Sequence, residues 1–282
     1  MIYAIGFIET IKEGEHQFTI KEHITKQEYD GHLNSLGEAT KLKAMANMYK
    51  LFERNGNEFL NYTSELQEHL RSDENDDIYL EANRLLINYL SALSMFIDYG
   101  EKYNKKHFGK PKMKEFESKT HALYDNHVSY RFMALMRNYA LHYGFPLTNI
   151  KKNLIKENTI YASKQTLLKF SSWKHVKQDI EKMPEDILLD PHVKVSMLFI
   201  KDLYESYIYD IAPSIINGIE YLDKMIKENG GKEPMFASFK NEDEFKKGNV
   251  SMEFIKPKTF IESLKIIQSH PRINLNIIGR DL

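Results

Sequence analysis

The apolar residues of this chain recur mostly at three- and four-residue intervals, the period of a helix with one buried face. From Leu36 to Arg54 the stripe is Leu36, Ala39, Leu42, Met45, Met48, Tyr49 and Phe52, and Asn55-Gly56-Asn57 reads as its stop. A second stripe follows, with Phe59, Tyr62, Leu66 and Leu70. The acidic run Asp73 to Asp77 reads as the cap of the next helix, where anionic side chains meet the positive end of the dipole. That helix, about Ile78 to Lys106, is apolar on more than one face and reads as the central core element. Gly109 and Pro111 break the pattern, and further helices are expected over Met113 to Asn126 and from Val128. The Val128 helix, with Phe132, Leu135, Met136, Tyr139 and Ala140 on its stripe, ends at Gly144 and Pro146, with Gly144 suited to the left-handed position after the last turn. Later helices are expected around Trp173 to Ile180, over His192 to Asn229 with a kink or break at Pro213, and over Phe260 to Gln268.

Three stretches lack that period. Residues 1–24 alternate loosely around Lys12-Glu13-Gly14-Glu15 and read as a β-hairpin. Asn158 to Phe170 has β-branched residues and little helical stripe, and suggests short extended pieces or a hairpin. Val250 to Ile255 reads as a strand, and Ile273 to Ile278 forms a last apolar run. The fold class expected is therefore mainly α: a helical bundle with small β additions near the N-terminus, after residue 146 and at the C-terminus. The expected division is an extended segment over 1–35, a helical domain over 36–230, and an α/β extension over 231–282 packed on the same domain.

Composition narrows this picture. The chain has no cysteine, which excludes disulfides and thiolate chemistry and fits a reducing cytoplasm. The apolar run Leu85 to Ile97 is too short and too interrupted to cross a bilayer, and residues 1–9 have no basic stretch of the kind a signal peptide carries. No phosphate-binding loop, dinucleotide fingerprint or zinc-protease motif is present, and no cofactor is expected. His121 and Asp125 lie four apart, but without further ligands a hydrogen bond between them is expected rather than a metal. Net charge is −1, yet residues 102–182 hold 17 Lys and Arg against 6 Asp and Glu. Such a concentration attracts phosphate backbones. Its alternative reading is a solvated face answered by the acidic first third of the chain.

Within that basic third, the last turns of the Val128 helix carry Arg137, Asn138 and His142 on an otherwise apolar element. Arg-Asn-Tyr-Ala-Leu-His resembles the Arg-x(4–6)-His signature of the HEPN superfamily, in which Asn, Asp or His typically follows the arginine. The resemblance covers a few residues of motif within a long helical chain. It implies a helical bundle and a metal-independent endoribonuclease, of the kind found as bacterial toxins and anti-phage effectors, with tRNA or mRNA as substrate. It also implies a composite site between two domains, hence a homodimer here, and an antitoxin or another defence protein as a possible partner. The alternative within the superfamily is a non-catalytic module that binds RNA or protein.

The residue chemistry suits that role. Histidine exchanges protons near neutrality, so His142 can serve as base or acid. Arginine offers a permanent planar fork to phosphate oxygens, so Arg137 can stabilise the charge of a pentacovalent phosphate. Asn138, four residues before His142, shares its helical face and can orient the imidazole or hold a phosphate oxygen. Arg131, Lys105, Lys106, Lys110, Lys112, Lys151 and Lys152 are the candidates for holding the RNA backbone. Arg137 and His142 are separated by about 140° around an ideal helix, so one copy aims them poorly at one phosphate. A purely structural reading also exists: Arg and His both suit the negative end of a helix dipole.

Overall fold

A computed structural model describes residues 1–13, 15–71, 77–152 and 158–275. In chain order it holds β1 (Ile2–Lys12), β2 (Glu15–Ile24), α1 (Lys26–Ser64), α2 (Leu66–His69), α3 (Asp77–Phe108), α4 (Lys110–Asn126), α5 (Val128–His142), β3 (Asn149–Lys151) and β4 (Thr159–Ser163). These are followed by α6 (Lys164–Leu168), a 3-10 turn (Ser171–Trp173), α7 (Val176–Lys182), β5 (Asp186–Ile187), α8 (Asp190–Glu228), β6 (Met235–Phe239), α9 (Glu242–Lys246), β7 (Ser251–Phe254) and α10 (Pro257–Gln268). The fold is mainly α with small antiparallel sheets. No described helix is long and apolar enough to cross a membrane.

The chain divides into two compact units: residues 1–46 with 205–282, and residues 47–204. In the first, the expected hairpin forms, and it does not stand apart from the C-terminal segment. β1 pairs with β2 on one edge and with β6 on the other, and β7 completes a sheet in the order β2-β1-β6-β7. Gly6 sits at a register shift of β1, where any Cβ would stand 2.2 Å from the Thr19 carbonyl oxygen. The start of α1 and the end of α8 belong to this unit and approach closely, because Gly218 leaves room for Ser35, whose hydroxyl donates to the Ser214 carbonyl at 3.0 Å. Pro213 does not break α8. Ile208, Ile211, Ala212 and Ile215 are buried on either side of it, and that burial outweighs the lost backbone bond. Gly230 and Gly231, both at positive φ, end the helix, and the Gly231 N–H donates to the Ile226 carbonyl at 2.9 Å.

The second unit carries the motif. Asn55-Gly56-Asn57 does not end a helix here; α1 runs through it. Gly56 serves close packing instead, since a Cβ there would lie 2.5 Å from Met197 Sδ. Arg54 and Glu58 pair across the same turn, and the Asn55 side chain donates to the Leu51 carbonyl. α3 has buried residues on several sides, as a central helix should, and packs on both α4 and α5. α4 turns back on α3 after Gly109, which has φ 84°, and the two approach where Gly100 faces the Phe116 ring. Beyond α5 the expected extended pieces become a three-stranded sheet, β3-β4-β5, and Lys164 to Leu168 turns helical with Ser163 as its cap. The acidic run Asp73 to Asp76 and the apolar run Asn276 to Ile278 fall outside the described residues.

Candidate nucleic-acid interface

α5 is fixed from below by rings. Phe132 and Tyr139 lie against Trp173, with centroids 5.9 and 5.7 Å away, and Phe170 meets Tyr139 and Trp173 edge-on. Trp173 is fully buried, and its indole N–H donates to the Leu167 carbonyl at 2.6 Å. The helix ends at His142 with Tyr143 at φ −125°, and Gly144 does not adopt the left-handed conformation expected for it. What holds the chain after the helix is Asn83 on α3. Its buried amide donates to the Leu147 carbonyl at 2.8 Å and accepts from the Leu147 N–H at 3.0 Å. Asn83→Ala would leave both backbone groups buried and unpaired, and is expected to cost about 3 kcal/mol in urea denaturation.

The two arginines of α5 have opposite surroundings. Arg131 forms a two-pronged pair with Asp179, at 2.7 and 3.0 Å, and also donates to the carbonyls of Tyr124 and Asp125 at the end of α4. The guanidinium that the sequence offered for RNA is thereby engaged in joining α4, α5 and α7. Hydrogen bonds from Arg131 hold the Asp179 carboxyl below the ordinary carboxylate range. A lowered folded-state pKa stabilises above the unfolded value and loses that effect as pH falls through the folded one. The stability difference between wild type and Arg131→Ala, about 1–3 kcal/mol at pH 7, is therefore expected to hold down to about pH 5 and to shrink below about pH 4.

Among the described residues Arg137 makes no ion pair or side-chain hydrogen bond; its Nε is buried without an acceptor, and its terminal nitrogens are not among the buried atoms. Asn138 is half-buried and its side chain likewise makes no hydrogen bond among the described residues. His142 is exposed. Around it Leu141, Tyr143 and Phe145 are 47, 48 and 52% exposed, an unusual density of apolar surface for one helix end. Arg137 lines a cavity of about 270 Å³ between α3, α4 and α5, and His142 does not. One copy of the chain thus leaves the two motif side chains unengaged without bringing them into one pocket.

The lysines separate into two groups. Leu147 is tied to Asn83, and His142 is only five residues away, which spans at most about 18 Å. Lys105 lies 22 residues further along α3 than Asn83, about 33 Å at the helical rise. Lys105, Lys106 and Lys110 are exposed around the α3–α4 turn, and Lys112, also there, pairs with Glu115 at 2.8 Å. Lys151 and Lys152 are exposed just beyond the Asn83 clamp, at the His142 end. The candidate lysines therefore lie at opposite ends of α3.

The cavity also contains residues that sequence reasoning left out: Asp98 and Glu101 of α3, Glu117 and Tyr124 of α4, and Tyr130 of α5. Their signal was helical spacing. Glu117, His121 and Tyr124 stand at i, i+4 and i+7, a polar face turned inward. His121 and Asp125 form no hydrogen bond with each other, and His121 lines the cavity instead. No group of three metal-binding side chains exists among the described residues. The chain matches no family model, no curated protein and no solved structure.

Proposed function

We propose that the chain is a metal-independent endoribonuclease of HEPN type, acting as a homodimer in a bacterial toxin or anti-phage system, on tRNA or mRNA. The observation that carries this reading is the contrast along α5. Arg131 is saturated by structural partners, whereas Arg137, Asn138 and His142 have none among the described residues. Leaving a guanidinium without an acceptor is costly, and a ligand phosphate would supply one to the terminal nitrogens of Arg137, which are not among its buried atoms.

The reaction follows from the two groups. The 2′-hydroxyl oxygen attacks the adjacent phosphorus, its proton passes to a base, and the bond to the 5′-oxygen breaks as that oxygen gains a proton. The products are a 2′,3′-cyclic phosphate and a free 5′-hydroxyl. His142 performs one of the proton transfers, and Arg137 holds the charge that collects on the phosphoryl oxygens. A second copy of the chain overcomes the angle between them, with Arg137 of one protomer facing His142 of the other. The apolar residues Leu141, Tyr143 and Phe145 support an interface at this helix end.

The test is cleavage of tRNA and mRNA in EDTA by wild type, Arg137→Ala and His142→Ala, with analysis of the new ends. Wild-type cleavage leaving cyclic phosphates, lost in both variants, is the expected result. Equal cleavage by all three removes the motif from the mechanism. The separation of the candidate lysines favours a second reading, a non-catalytic RNA-binding module. Salt-sensitive binding of RNA without cleavage selects that one.

A further inference from the structure

The cavity beside Arg137 is polarised along its length. α4 reverses on α3 across the single residue Gly109 and packs against it, so Glu117 falls opposite Glu101 and Tyr124 opposite Ser94. α5 then runs on toward the Asn83–Leu147 clamp, which carries Arg137 to the other end. Along α3 the cavity extends from Leu90 to Glu101, about 16 Å. It has a guanidinium at one end, the half-buried Glu101 and Glu117 with the exposed Asp98 at the other, and Leu90, Leu93, Ile97, Tyr130 and Ala134 between them, with the exposed His121 also on its wall. Glu101 and Glu117 make no ion pair or side-chain hydrogen bond among the described residues, although a cation lines the same space. With three carboxylates against one arginine and one histidine, a simple anion is disfavoured. No metal-binding group of three is available among the described residues either.

The ligand that fits has an anion at one end, hydrogen-bond donors at the other, and a flat apolar body. A nucleotide has that form: its phosphate meets Arg137 and its base edge meets the carboxylates. Among the four RNA bases, guanine presents two adjacent donors, N1–H and the N2 amino group, to the two oxygens of one carboxylate. Adenine and cytosine present one amino group beside an acceptor that a carboxylate repels, and uracil presents one N–H between two carbonyls. At about 270 Å³ the cavity lies just under the roughly 300–1,000 Å³ of drug-sized sites, which suits a single nucleotide. The half-buried Tyr124 ring on its wall offers a stacking surface. From this arrangement we infer that the α3–α4–α5 cavity binds one nucleotide of the RNA and selects guanine through Glu101 and Glu117. The inference rests on the ribonuclease reading in assigning Arg137 to the phosphate.

The experiment is titration of the full chain with guanosine 3′-monophosphate and with the adenosine, cytidine and uridine equivalents, followed by NMR or calorimetry. Cleavage sites are mapped in parallel by end sequencing. Guanosine 3′-monophosphate is expected to bind about tenfold or more tightly than the uridine compound. Glu117→Gln and Glu101→Gln are expected to erase that preference while the folded spectrum is retained. Cleavage would then fall beside guanine in wild type and lose that bias in the variants. Equal affinity for all four nucleotides, or none for any, overturns the inference whatever the variants do. The two readings fail separately. Guanine-selective binding with cleavage indifferent to Arg137 and His142 keeps the pocket and removes the nuclease assignment. Motif-dependent cleavage without base preference does the reverse.

Discussion

His142→Ala is expected to lower RNA cleavage by about 10²–10⁴-fold, the contribution of one positioned proton-transfer group. His142 is exposed at the last turn of α5, so the variant should unfold at about the same temperature as wild type. Activity lost without stability lost is the signature of a chemical role, and single-turnover cleavage paired with a thermal melt reads both. Arg137→Ala is expected to cost about 10²–10³-fold, as removal of one oxyanion-type donor does. Arg137→Lys keeps the charge but loses the planar fork, and should recover little. Replacement of Arg131 would lower stability instead, because its guanidinium already serves Asp179 and two helix-end carbonyls. Two arginines six residues apart on one helix should thus give opposite phenotypes.

Trp173→Ala is expected to lower unfolding free energy by about 3–5 kcal/mol, the range for deleting a buried large ring. The indole contacts Phe132, Tyr139 and Phe170 at centroid distances of 5.6–5.9 Å, and its N–H satisfies the Leu167 carbonyl. Its loss would open a cavity directly beneath α5 and orphan a buried carbonyl. Because this platform fixes the helix that bears the motif, cleavage should fall as well, through misplacement rather than chemistry. Trp173→Phe keeps most of the volume and should recover most of the stability. Urea denaturation of the three proteins checks the order.

The helices were legible wherever a single stripe had to be buried. α3, α4 and α5 fall within a few residues of their sequence limits, because period and capping act locally. The misreadings share one cause: tertiary packing outweighed a local signal. Gly56 looks like a stop from the sequence, yet it is present so that Met197 can approach. Pro213 looks like a break, yet buried isoleucines continue on both sides of it. Gly144 looks like a left-handed cap, but the chain after α5 is secured by Asn83, 64 residues away, which no local pattern announces. The motif residues were found by their order along the chain, and their lack of partners became visible only in the fold. The cavity was not legible, because Glu101 and Glu117 come to line one space only when α4 reverses on α3. Nor was the division of the lysines, since a charge count along the sequence does not say that a long helix holds Lys105 about 33 Å from the clamp at Asn83.

The most direct measurement is subunit complementation. Arg137→Ala and His142→Ala proteins, each inactive alone, are mixed, allowed to exchange subunits, and assayed on RNA in EDTA. If Arg137 of one protomer works with His142 of its partner, half of the reassorted dimers regain one of two sites, and activity returns to about a quarter of wild type. A mixture no more active than either parent would contradict the shared site, and full activity in either parent alone would contradict the role of the motif itself.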